Sequence, residues 1–280
     1  MELVVRHQTT YRYATEAAHV AMLLRLVPSR LDGQVPRQWE VTVNGAPVRS
    51  FAANAYGDQE GFFQHRSPLA EVVVVAAGVV ETRDQAGVVS GFARELPLPV
   101  FLRQTPLTRP DPAIAGLAGA CPGGDPLTRL HALVPLVRAG IGYLPGSTSS
   151  ASTAAEALAQ GRGVCQDQAH LFVSAARVMG IPARYVTGYL LSPEGGQEAS
   201  ETHAWAEAWV PGLGWVGFDA TNGICVTDHY VRLCCGLDAR EAAPVAGSVY
   251  GASGIGIHAD VRISAAHASE HEQIGQQQQQ

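Results

Sequence analysis

The sequence predicts an α+β protein in two parts, and three observations lead there. The first hundred residues carry short alternating runs and turn signals with no helical period. A proline-rich stretch then interrupts the chain. Beyond it, apolar residues fall at helical spacing up to a glycine-proline stop, and alternating runs follow. At 280 residues, 46% hydrophobic and 16% charged, the chain can bury a real core.

The strand candidates of the first part are LVVRHQTTYRY, HVAMLLRLVP, QWEVTVNG, VRSFAANAYG, EGFFQH, EVVVVAAGVVET and VVSGFA. Asn44-Gly45 and Tyr56-Gly57-Asp58 punctuate them as turns. A sandwich-like domain over residues 1–105 is expected. The stretch ELPLPVFLRQTPLTRPDP holds five prolines between Pro97 and Pro112 and reads as a connection. Residues 126–140 read as a helix that Pro135 must kink or interrupt. Residues 152–159 read as a short helix capped by Ser152 or Thr153, and 164–179 as the longest helix, stopped by Gly180 and Pro182. ARYVTGYLL, HAWAEAWV and WVGFDAT read as strands, with DHYVRLCCG as a further one. The second unit is thus placed at 106–245. GIHADVRIS, within 246–266, is a strand able to return to the N-terminal sheet. The tail 267–280 is polar and low in complexity, and is read as disordered.

A net charge of −6 without a basic cluster argues against nucleic acid or an anionic membrane as partner. All 19 basic residues are arginine. Coding bias explains that composition better than avoidance of amine acceptors does. MELVVRHQTTYRY lacks the apolar region of a signal peptide. The longest apolar run, VVVVAAGVV, is a buried strand rather than a membrane span. The cysteines (Cys121, Cys165, Cys225, Cys234 and Cys235) are odd in number and form no framework, which fits a reducing cytoplasm.

Three residues carry the chemistry. Cys165 follows Gly161 and Gly163 at the start of the long helix. There the positive end of the helix favours a thiolate, and unspent N–H groups can meet an oxyanion. His203 opens an alternating strand, on one face with Trp205, Glu207 and Trp209. That polar, aromatic face reads as a site wall, and Ala204, Ala206, Ala208 and Val210 as the core face. Asp219 lies on the next strand. A hairpin centred on Pro211 sets Asp219 directly opposite His203, and one centred on Gly212 makes them diagonal neighbours. Asp219 alone could equally be a turn cap before Thr221-Asn222-Gly223. Together, a thiol, a histidine and a carboxylate are the parts of a cysteine acyl-transfer site.

Around them, Gln166, Asp167 and His170 stand as supporting residues, the last two spaced to bond each other on one helix face. Arg184 is expected to pair with a carboxylate, and Gly188 to allow close backbone approach. Tyr189 and Trp205 are candidates to line a substrate groove, although aromatic residues at strand spacing are more often core. Cys165, His170, His203 and Asp219 are all metal-ligand types. No C-x2-C, H-E-x-x-H or acidic calcium-loop spacing accompanies them, so no metal or cofactor is expected.

GRGVCQDQAHLFVSAARVMGIPARYVTGYL, THAWAEAWVPGLGWVGFDATNG and IGYLPGSTSSASTAAEALAQ resemble the bacterial transglutaminase-like superfamily. The first hundred residues resemble the β-rich region that accompanies this core. The resemblance implies a papain-like core with Cys165 as nucleophile, His203 as base and acid, and Asp219 as its orienter. Gln168 stands where an aromatic residue is common, and Ala220 where a proline is. The implied activity is that of a cysteine peptidase or amidase acting through a thioester on a protein or peptide amide. The alternatives are a protein-glutamine transamidase with an amine acceptor, and a non-catalytic binding module on the same fold.

Overall fold

The structure, a computed structural model, describes residues 1–192 and 202–266. The tail at 267–280 lies outside the described residues. The N-terminal part contributes β1 (Glu2–Ala17), β2 (His19–Leu24), β3 (Gln34–Val43), β4 (Ala46–Pro47), β5 (Phe51–Ala53), β6 (Gln59–His65), β7 (Leu69–Thr82) and β8 (Val88–Val89). Next come α1 (Pro112–Gly119), α2 (Pro126–Gly140), β9 (Gly142–Tyr143), α3 (Ala154–Gln160), β10 (Arg162–Gly163), α4 (Cys165–Val178) and β11 (Ala183–Leu190). The chain continues through β12 (His203–Val210), β13 (Gly214–Asp219), β14 (Ile224–Cys225), β15 (Tyr230–Gly236), β16 (Val245–Tyr250) and β17 (Ile255–Ala265). It is an α+β fold.

Two antiparallel sheets make the N-terminal sandwich. One has the order β17-β1-β7-β3-β4 and the other β16-β2-β6-β5. The period-2 pattern of β1 and β2 supplies the reason: Leu3, Val5, Val20, Met22 and Leu24 are buried while their neighbours in sequence are exposed or half-buried. The C-terminal segment closes both sheets. Strand β17 runs antiparallel to β1 from Leu3↔Ala265 to Tyr13↔Ile255, and β16 pairs with β2. In the other direction, β8 leaves the N-terminal part to pair with β13.

The third sheet runs β14-β13-β12-β11-β15, with β8 beside β13. Helix α4 lies on it, and every residue from Asp167 to Arg177 is buried. Along β11, Ala183 and Tyr185 meet the helical layer, and Tyr189 on the same face meets the N-terminal sheet. Gly188 permits close approach, since a Cβ there would stand 2.1 Å from the Val231 carbonyl.

The proline-rich stretch is packed structure rather than a free linker. Phe101 is buried edge-on against Trp215, and its carbonyl accepts from Arg177 Nε at 3.1 Å. Its last prolines start α1, with Pro112 in the first turn and the Asp111 carboxylate capping Ile114 N–H at 2.8 Å. Helix α2 runs through Pro135 without a break, because Pro135 faces solvent and buried Leu130, Leu133, Val134 and Val137 hold the helix. Thr153, rather than Ser152, caps α3 in a reciprocal box with Glu156.

Beyond His203, the face of β12 that carries Glu207 is buried rather than a wall of the site. Glu207 is 0% exposed and accepts from Arg184 Nε at 2.6 Å and Arg232 Nε at 3.0 Å. Arg232 also donates to Asp58 Oδ1 at 2.7 Å, and Arg184 lies over the Trp215 ring at 3.9 Å. Removing this carboxylate leaves Arg184 buried without a carboxylate and Arg232 with Asp58 alone. Glu207→Gln is therefore expected to cost about 3–5 kcal/mol, read as a lowered urea midpoint at unchanged slope.

Candidate active site

Cys165 occupies the first position of α4. Gly161 reaches the helix through a left-handed φ of 67°, and a Cβ on Gly163 would stand 2.6 Å from Asp167 Oδ2. The N–H groups of Asp167 and Gln168 donate to the Val164 carbonyl at 3.0 and 3.1 Å. Those of Cys165 and Gln166 precede the first helical bond and have no partner within the helix. Asp167 fixes the start of the helix, accepting from Val164 N–H at 2.8 Å and Thr148 Oγ1 at 2.6 Å.

His203 begins β12 and Asp219 ends β13. Val210↔Gly214 and Ala206↔Phe218 centre the hairpin on Gly212, so the two are diagonal neighbours. His203 Nε2 donates to Asp219 Oδ2 at 2.7 Å. That leaves Nδ1 for the thiol, and Cys165 and His203 line one cleft. Burial would lower the His203 pKa, but the hydrogen bonds to Asp219 and Cys165 outweigh it and raise it from 6.5 to about 10. An imidazolium beside a thiol favours the thiolate. The other four thiols are pushed up by burial.

Asp219 is both a turn cap and the partner of His203. Its Oδ1 accepts from the N–H groups of Thr221 and Asn222 at 2.9 and 3.2 Å. Its Oδ2 accepts from His203, from Asn222 Nδ2 at 2.6 Å and from the Tyr230 hydroxyl at 2.7 Å. Burial works against the charged form, and these donors still hold the carboxyl below its usual range. Tyr230 and Asn222 were not identified from sequence. The Asp-x-x-Asn spacing into a turn signals Asn222. Nothing in DHYVRLCCG singles out Tyr230.

A cleft runs past Cys165 and His203, lined also by Gln166, Ser150, Thr202 and Arg240. Two expected lining residues are elsewhere. Tyr189 is fully buried with its hydroxyl 2.9 Å from His7 Nδ1, because the N-terminal sheet covers it. Trp205 is buried edge-on against Tyr230, on the opposite side of β12 from the core alanines. Asp167 and His170 do not bond each other. His170 is buried, its pKa lowered by burial to about 4, and its Nε2 accepts from Ala239 N–H at 3.0 Å. Gln168 donates to the Ile141 carbonyl at 2.6 Å, and Ala220 is buried against the helical layer. Among the described residues no helix is long and apolar enough to cross a membrane.

Comparison with known proteins adds to this geometry. The family profile described as the transglutaminase-like superfamily matches residues 117–220, and that of the bacterial transglutaminase-like N-terminal region matches 3–81. An uncharacterised protein of Mycobacterium leprae (strain TN) is 30% identical over 93% of this chain and 97% of its own. One from Mycobacterium tuberculosis (strain ATCC 25618 / H37Rv) is 27% identical over 88% of this chain and 87% of its own. A solved structure of a candidate cysteine protease from Cytophaga hutchinsonii matches with a TM-score of 0.74 and 22% identity, covering 95% of this chain and 91% of that one. At that identity the likeness is one of fold.

The electrostatics carry a sign. His203, raised to about 10, favours the folded state fully below its ordinary 6.5, and the contribution fades as pH rises through 10. Asp219 acts oppositely: its contribution is full above its ordinary 3.8 and is lost as pH falls through its lowered value. In Asp219→Asn the His203 ring protons should titrate well below about 10 in an NMR pH series. An unchanged titration would contradict the role of the carboxylate.

Proposed function

The chain belongs to the transglutaminase-like superfamily, and from that premise we propose that it is a thiol-dependent acyl-transfer enzyme, a cysteine peptidase or amidase. The observation that carries the reading is the division of the His203 ring, Nε2 on Asp219 at 2.7 Å and the other nitrogen left for Cys165. Cys165 Sγ attacks an amide carbonyl, forming the S–C bond, and the backbone N–H of Cys165 is available to the oxyanion. Protonated His203 gives its proton to the leaving amine as the C–N bond breaks. Neutral His203 then takes a proton from water, which resolves the thioester to a carboxylate and the free thiol.

An amine acceptor would resolve the same thioester by transamidation, and a protein or peptide supplies the acyl group in either case. Five free thiols fit a reducing compartment, and the cytoplasm is the proposed location.

Cys165→Ala should lower amide cleavage by roughly 10⁴–10⁶ while the circular dichroism spectrum stays that of the parent. Iodoacetamide at neutral pH should label Cys165 ahead of Cys121, Cys225, Cys234 and Cys235, located by peptide mass spectrometry. Preferential labelling of any of the other four would count against the assignment.

A further inference from the structure

One wall of the cleft is the segment Asp238–Pro244, which the site chemistry described above leaves unused. Its backbone is pinned along its length. Ala239 N–H donates to His170 Nε2 at 3.0 Å, Arg240 N–H to Asp238 Oδ1 at 2.9 Å, and the Ala242 carbonyl accepts from Thr187 Oγ1 at 2.8 Å. The segment therefore presents the Arg240 side chain from a fixed main chain. Arg240 is exposed and lines the same cleft as Cys165 and His203.

The acidic neighbours of Arg240 are already spent. Asp238 accepts the Arg240 and Glu241 N–H groups through Oδ1. Glu241 accepts from Leu237 N–H at 2.9 Å and from the Tyr56 hydroxyl. The nearby Arg25, which holds the Ala243 carbonyl at 3.1 Å, is itself paired with Glu60 at 2.7 Å. Among the described lining residues, Arg240 is thus a cation without a carboxylate, beside the catalytic pair of a protein whose net charge is −6.

We propose that Arg240 is a specificity-determining residue that binds a carboxylate of the substrate, so that the preferred substrate is a peptide amide with an acidic group close to the scissile bond. This rests on the acyl-transfer reading above. A single planar guanidinium suits a singly charged carboxylate, which it can hold through two parallel N–H···O bonds. The charge also draws anionic substrate toward a thiol flanked by an imidazolium. Gln166, Ser150 and Thr202 add neutral polar groups and no competing charge to the lining.

Two reagents that differ only in charge test this on the intact protein. Alkylation of Cys165 is followed with iodoacetate, which carries a carboxylate, and with neutral iodoacetamide, and the label is located by mass spectrometry. The ratio of the iodoacetate to the iodoacetamide rate should be about five-fold higher in the parent than in Arg240→Gln at low ionic strength. Arg240→Lys should retain most of it, and ~1 M salt should erase the difference. Equal ratios in the parent and Arg240→Gln, with Cys165 still the preferred thiol, would overturn the carboxylate assignment alone. Failure of iodoacetamide to prefer Cys165 in the parent would overturn the acyl-transfer reading and this proposal with it.

Discussion

The register of the sheet that carries His203 and Asp219 hangs on one buried carboxylate. Glu207 on β12 sits directly across from Arg184 on β11 and also binds Arg232 on β15. A slip of one residue would turn Glu207 to the opposite face, where the alanines of β12 pack against α4, leaving Arg184 buried without a carboxylate and Arg232 with Asp58 alone. The register that satisfies these charges also sets His203 across from Gly188, at the edge where α4 delivers Cys165. The ion pairs thus fix geometry more than they add stability. Burial opposes every charge in the cluster, and only the full set of partners offsets it.

The same logic governs Asp219. A buried carboxylate with one partner would tend to take up a proton, and a protonated acid is a poor orienter of imidazole. Five donors prevent that, two from the turn backbone and three from His203, Asn222 and Tyr230. The turn that ends β13 is therefore part of the site. Trp205 belongs to this support as well, stacked with His203 at 6.2 Å and edge-on to Tyr230 at 5.4 Å. It packs against the two rings that donate to Asp219 and does not line the cleft at Cys165.

What the sequence reveals is local, and what it hides is distant. The helix start at Cys165 and the hairpin that joins His203 to Asp219 follow from glycine spacing and a midpoint at Pro211, one residue from the observed centre at Gly212. Those relations span at most sixteen residues. The burial of the Glu207 face does not follow from alternation, because its cations come from 23 and 25 residues away and its cover from β8 and the segment near Phe101. Alternation reports that two faces differ, not which of them is solvated. Helix α1 was hidden for another reason. Pro112 reads as a breaker when the chain is scanned for periodicity, yet the first turn of a helix is where proline costs least.

The N-terminal sandwich has a part in shaping the cleft that neither family match describes by itself. The cleft wall at 238–244 is tied to α4 by His170 at one end. At the other end it runs into β16, which pairs with β2, and Arg25 holds it through Arg25 N–H to the Pro244 carbonyl at 2.7 Å. The wall is therefore strung between the helix that carries Cys165 and the sheet that the N-terminal segment builds. A change in the packing of β2 would move the wall against a fixed Cys165. The core permits no slack in between, since Leu24, Tyr185, Cys234 and Ala242 belong to one continuous buried cluster. Cys165 and His203 come from one region, and the shape of the space in front of them is set by both.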